Sequence, residues 1–214
     1  MSTSRASPRY HHGELRQALI EAALATLAEK GPAALGLREL ARQVGVSAAA
    51  PYRHFADRKA LLEAVAAVGF ARFTETMAVT RDETSAPRQL EAMADGYVRF
   101  ALHQPQLFRL MFSAELHPYR DAQLSAAADA AYSGLAAVAA REDPAAAAEA
   151  AMSCWALVHG LSMLLIDEQI VGVDPHNATP LVGRLTRRFV AGLRLSRAGG
   201  GGPLAAIAPE EDSG

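Results

Sequence analysis

Two clusters of side chains in this sequence have the types and spacing to do chemistry, and both suit binding rather than bond making. The first lies in LRELARQVGVSAAAPYRHFADRK, residues 37–59, where Arg38, Arg53, Arg58 and Lys59 supply cations and Ser47, Tyr52 and His54 supply hydrogen-bond donors. That mixture suits phosphate oxygens, which take both full charges and neutral donors. The second is a set of aromatic and methionine residues at helical spacing, Met93, Tyr97, Phe100, Phe108, Met111 and Phe112, joined by Trp155 and His159 four residues apart on one helical face. Such a set could wall a pocket for a mainly apolar small molecule with one polar handle. An ordinary core reads the same way, and His159 reads more readily as a satisfied core histidine than as a ligand contact. No Gly-rich phosphate loop, no pair of histidines at metal spacing on a helix and no Ser or Cys nucleophile motif is present. His11, His12 and His117 are scattered through arm and loop and make a poor metal site, so neither metal nor cofactor is expected. The single Cys154 excludes an internal disulfide framework and reads as a buried spectator.

Charge separates the two clusters. Residues 1–60 hold nine Lys and Arg against five acids, leaving twelve basic against eighteen acidic residues in the remainder. A basic amino-terminal module on an acidic remainder suits a polyanion-binding head on a body that avoids nucleic acid. Half of the residues are hydrophobic, enough for a substantial core. The sequence contains no uninterrupted apolar run of the length a membrane span needs, and its start, MSTSRASPRYHHGELR, lacks a signal-peptide stretch. A cytoplasmic protein with no membrane partner is therefore expected.

The elements that must position these residues are helices throughout. Residues 1–12 read as a flexible arm. Leu15, Ala18, Leu19, Ala22, Ala23 and Leu27 form a stripe at three- and four-residue spacing that ends at Lys30-Gly31-Pro32. A second helix is predicted over 37–44, stopped by Gly45; a third from the N-cap Ser47 to about His54; and a fourth from the N-cap Asp57. Further helices are predicted over 87–103, 105–114, 119–141, 145–171 and 179–197, with a disordered Gly- and Pro-rich tail at 198–214. The expected fold is all-α, with about nine helices. A three-helix helix-turn-helix domain at 13–60 precedes a helical effector-binding and dimerisation domain at 61–197.

In a helix-turn-helix the second short helix enters the major groove while the first crosses the backbone. Leu37, Leu40, Ala41 and Val44 supply the apolar stripe of the first, and Gly45 permits the turn, although a plain helical hairpin would look similar. Methyl groups cannot make the bidentate hydrogen bonds that distinguish bases, so Ala48, Ala49 and Ala50 leave sequence reading to Arg38, Arg53, DNA shape or the arm with Arg5 and Arg9.

The Gly-Val-Ser turn, the Tyr-x-His-Phe group and the Ala-Leu-Leu that follows, all within GVSAAAPYRHFADRKALL, resemble the DNA-binding domain of the tetracycline-repressor (TetR) family of bacterial regulators. YHHGELRQALIEAAL resembles the opening of one subgroup, and Trp155-Ala-Leu-Val-His159-Gly160-Leu resembles that subgroup's Trp-His-Gly carboxy-terminal signature, so the resemblance spans roughly 9–197. It implies that Arg38 contacts a base or phosphate, that Ser47 to Ala50 face the groove, and that Tyr52 and His54 hold phosphates. Two positions depart from the pattern: Arg58, followed by Lys59, stands where a lysine is common, and Gly36 stands where Ser or Thr usually caps the second helix. A phosphate accepts either cation.

The resemblance further implies a homodimer on palindromic double-stranded operator DNA, with the last two helices of each chain pairing into a four-helix bundle. Leu157, Leu161 and Leu164 share one face, and Leu181, Leu185 and Phe189 another, although intramolecular packing would use the same residues. The function predicted is a ligand-responsive transcriptional regulator, a repressor released by a small, mainly apolar effector. An activator and an effector-independent DNA-binding protein are the alternatives, with a helical small-molecule-binding enzyme a more distant one.

Overall fold

The computed structural model describes residues 12–78, 85–116 and 121–198. The expected arm with Arg5 and Arg9, and the tail from 199, lie outside them. The fold is all-α, with eight α-helices among the described residues: α1 (His12–Lys30), α2 (Leu37–Val44), α3 (Arg58–Ala78), α4 (Ala86–His103), α5 (Pro105–Met111), α6 (Ala122–Glu142), α7 (Ala147–Ile166) and α8 (Thr179–Ala198).

The difference from nine lies in the recognition segment. Ala50–Arg53 is one turn of 3-10 helix, not an α-helix from Ser47 to His54. Ala50 N–H donates to the Ser47 carbonyl at 2.9 Å, and His54 N–H to the Pro51 carbonyl at 2.9 Å, both three-residue closures. Pro51 has no N–H to give, and Ala49 caps the turn without a side-chain bond, so nothing lengthens it into an α-helix. Ser47 therefore contributes a backbone carbonyl here, not the side-chain cap expected of it.

The neighbouring elements follow their punctuation. α1 ends at Gly31, at φ 74°, and α2 at Gly45, at φ 79°, whose N–H returns to the Ala41 carbonyl. Gly36 starts α2 from extended backbone with no side-chain bond. Asp57 Oδ1 accepts from Ala60 N–H at 2.8 Å and caps α3, while Asp121 does the same for Leu124 at 2.7 Å and caps α6. In the head, Leu19, Ile20 and Leu27 of α1 meet Leu37 and Leu40 of α2, Phe55 and Leu61.

α3 runs through position 60 without interruption and enters the body, where it packs on α4, α5 and α6. α4 lies against α7 and α8, and α6 against α7. The bidentate pair of Arg194 with the buried Glu142, Nε to Oε2 at 2.6 Å, ties α8 to α6. α7 stops at Ile166, short of the predicted 171, because Glu168 turns left-handed at φ 54° and Gln169 N–H closes back on the Leu164 carbonyl at 2.8 Å. A glutamate, not a glycine, takes the left-handed position at this stop.

α7 is long and apolar enough to cross a membrane by length and composition, with a mean hydropathy of 1.4 over its most apolar stretch. Its buried face, Ala151, Cys154, Val158, Leu161 and Leu165, belongs to the core of the body.

Candidate DNA-reading face and ligand cavity

The two glycine turns and the 3-10 turn aim one surface of the head outward. On it Arg38, Ser47, Ala48, Ala49, Tyr52 and Arg53 are exposed, with Ala50 and His54 half-buried behind them. Pro51 and Phe55 are buried beneath and act as the studs that hold the turn to the head.

The cations of the head divide into engaged and unengaged groups. Arg42 is clamped to Glu39, Nε to Oε2 at 3.0 Å and Nη2 to Oε1 at 2.6 Å, and this pair holds the Glu39 carboxyl down to about 2. Lys59 pairs with Glu63 at 3.6 Å. Arg38 and Arg53 make no hydrogen bond or ion pair among the described residues, so both are at liberty to meet a polyanion.

Arg58, expected at a phosphate, points the other way. Its Nε donates to the Leu35 carbonyl at 3.0 Å, its Nη2 to the Pro32 carbonyl at 2.8 Å, and its Nη1 to Glu115 Oε1 at 2.7 Å. The planar guanidinium thus binds the α1–α2 connection to the segment after α5. Its task in this structure is to join head and body, and the sequence carried no sign of the inward partners.

Behind that segment lies a cavity of about 330 Å³ between α3, α4, α6 and α7. Of the eight residues expected at a pocket, Tyr97, Met111, Phe112 and Trp155 line it. Met93 lines a separate small cleft, and Phe100 and Phe108 are buried in the core. His159 stands behind the wall and orients it. Trp155 Nε1–H donates to the Tyr97 oxygen at 3.2 Å, and that oxygen lies 3.0 Å from His159 Nδ1. In a neutral ring that carries its proton on Nε2, Nδ1 accepts the tyrosine proton. Burial favours that form by lowering the pKa of His159, and burial raises that of Tyr97.

Sequence reasoning missed the rest of the wall. Phe70, Phe73 and Met77 come from α3, and Ala128, Ala131, Tyr132 and Leu135 from α6. Spacings of three, four and seven residues in both sets are legible signals, but the fourth helix is predicted only by its start, with no course beyond it, and the α6 stripe is hidden in alanine-rich sequence. Burial pushes the Cys154 thiol up to about 11, in keeping with an inert side chain.

Of the six leucine and phenylalanine positions expected at a dimer interface, Leu161 is buried within the chain and packs on the core. Leu157, Leu181, Leu185 and Phe189 are half-buried, and Leu164 is 48% exposed.

Residues 19–65 match the family model for bacterial regulatory proteins, tetR family, and residues 90–189 match that for the tetracyclin repressor-like C-terminal domain. Among solved structures, a protein of unknown function from Rhodococcus sp. RHA1 is 33% identical, with a TM-score of 0.76 over 87% of this chain and 98% of that one. The TetR family transcriptional regulator PfmR from Thermus thermophilus shares the fold at 16% identity, with a TM-score of 0.61 over 85% and 96% of the two chains. FadR from Bacillus subtilis, in complex with stearoyl-CoA, does so at 14% identity, with a TM-score of 0.63 over 79% and 96%. No curated protein matches significantly.

Proposed function

The chain belongs to the TetR family of DNA-binding transcriptional regulators, which are not enzymes and carry a ligand-binding carboxy-terminal domain, and on that premise we propose that it is a repressor that binds a palindromic operator as a homodimer and leaves it when a small, mainly apolar effector fills the aromatic cavity. The observation that carries this reading is the shared anchor between cavity and head. Ser113 and Leu116 line the cavity, and Glu115 between them grips Arg58, which holds two carbonyls of the α1–α2 connection. An occupant that displaces 113–116 moves the clamp on the reading head, and two heads about 34 Å apart tolerate little change in spacing.

Dimerisation is supported by the uncovered face of α7 and α8. Met152 and Leu164 on α7 are about half exposed, and Leu195 on α8 is 73% exposed, although α7 is the one helix of membrane-like apolarity among the described residues. A second copy covering that face satisfies it. Trp155, His159 and Gly160 support assignment to the subgroup with a Trp-His-Gly carboxy-terminal domain. A cytoplasmic location follows from the same reading, α7 being a core and interface helix in it.

Footprinting on the DNA flanking the coding region, with and without a panel of small aromatic compounds, tests the proposal. Salt-sensitive protection that spans two half-sites and is lost with an effector supports it. Absence of any salt-sensitive DNA binding overturns it, and protection that no compound alters removes the effector arm.

A further inference from the structure

We infer that the cavity selects a compact organic cation, an aromatic amine or quaternary ammonium compound, with its charge held at Asp129 and its hydrocarbon among the rings. The inference rests on the reading of this cavity as the effector site and supplies the chemical class that reading leaves open.

Three features of the lining point the same way. Phe73, Tyr97, Phe112, Tyr132 and Trp155 form a nearly continuous aromatic wall, with Phe73 on Tyr97 at 4.7 Å and Tyr132 on Trp155 at 6.0 Å between centroids, both edge to face. Ring faces carry negative potential and attract cations, quaternary ammonium above all. The charged group at the cavity lining is the solvent-exposed carboxylate of Asp129 on α6, one turn before the exposed Tyr132. It accepts a long 3.4 Å hydrogen bond from the Ser125 hydroxyl, and no cation pairs with it among the described residues. No Lys or Arg lines the cavity among those residues either, so a carboxylate or phosphate ligand would meet like charge and ring faces without a counter-ion.

Size and polarity set further bounds. At about 330 Å³ the space sits near the lower end for small-molecule sites, which excludes long chains with large head groups. Ser113 Oγ is buried in the same wall with no hydrogen-bond partner among the described residues. A ligand N–H or hydroxyl would satisfy it. Ser113 lies two residues before Glu115, so a hydrogen bond there acts at the anchor described above.

Trp155, the sole tryptophan, lies in the wall and reports occupancy by its fluorescence. The full-length protein is titrated with three probes of similar shape: phenethyltrimethylammonium, its neutral carbon isostere (3,3-dimethylbutyl)benzene, and 4-phenylbutanoate. The cation is expected to bind at least about tenfold tighter than the neutral isostere, and 4-phenylbutanoate weakest. In Asp129→Asn the cation's advantage over the isostere should fall below about threefold, with binding of the isostere unchanged. Equal or tighter binding of the neutral or anionic probe, no binding of the cation, or an unchanged preference in Asp129→Asn overturns the inference. The same titrations are read on an operator duplex. Release by the neutral or anionic probe leaves the effector reading standing and sinks the cation class; selective cation binding with no change in operator affinity does the reverse.

Discussion

The buried positions of the head are filled mainly by aliphatic chains, Leu19, Ile20, Leu27, Leu37 and Leu40, whereas the centre of the body is built from rings set edge to face, Phe73 on Tyr97 and Tyr97 on Phe108, with Phe112 tilted against Phe108. Branched aliphatic chains interdigitate to full density over short helices. Large planar rings with fixed tilts bound a void that a small ligand can enter, as they do here beside Trp155. Polar chemistry follows the same division. The head turns Arg38, Tyr52 and Arg53 outward, while the body turns Trp155, Tyr97 and His159 toward one another. The contrast teaches that an outward polar surface suits a solid module and a ligand cavity a hollow one, with the Arg58–Glu115 pair joining the two.

The largest effect should come from the body. Phe108 is fully buried and packs its ring 5.0 Å from that of Phe112, so Phe108→Ala should cost about 3–5 kcal/mol in urea unfolding. A loss under about 1 kcal/mol would mean that the ring cluster is slack, and the contrast with the head would fail. Next comes the head's surface. Arg38→Ala should weaken operator binding by about 1–3 kcal/mol and relax base preference, whereas Tyr52→Phe should lower affinity about equally on every sequence in a panel of mutated operators. Unchanged base preference in Arg38→Ala would move sequence reading to Arg53 or DNA shape.

Glu115→Gln tests the link. It keeps shape but removes the charge that grips Arg58, so operator affinity without effector should change little while the effector-induced loss of affinity shrinks by about 0.5–2 kcal/mol. Full response in this variant would route the signal elsewhere. The smallest effect expected is from pH. Burial lowers the pKa of His159 below its ordinary 6.5, so the unfolded ring takes up its proton first. Stability is therefore whole above about pH 6.5 and declines as pH falls through the lowered value. Urea midpoints over that range should slope less in His159→Gln, and identical slopes would place the titration on another group.

Much of the frame was legible in the chain itself. Gly31 and Gly45 end α1 and α2 where the sequence placed the stops, and Asp57 caps α3, because capping and left-handed turns depend on a few adjacent residues. The recognition turn was half legible: Pro51 was visible, but its contraction of the segment to a single 3-10 turn depends on the Ser47 and Pro51 carbonyls closing three residues on. Half of the expected pocket residues line the cavity, and Phe70, Phe73 and Tyr132 were missed, since periodicity marks a buried face without saying whether that face meets side chains or space.

The sequence by itself determined the helical content and the basic head, both of which rest on local periodicity, local capping and composition. Tertiary structure decided which cations remain at liberty and which ring walls enclose a void. Arg38 and Arg58 carry the same charge, yet one stands exposed and the other is spent on Leu35, Pro32 and Glu115, groups 23, 26 and 57 residues away along the chain. Partners that far apart are chosen by packing, so the assignment exists only once the helices have met.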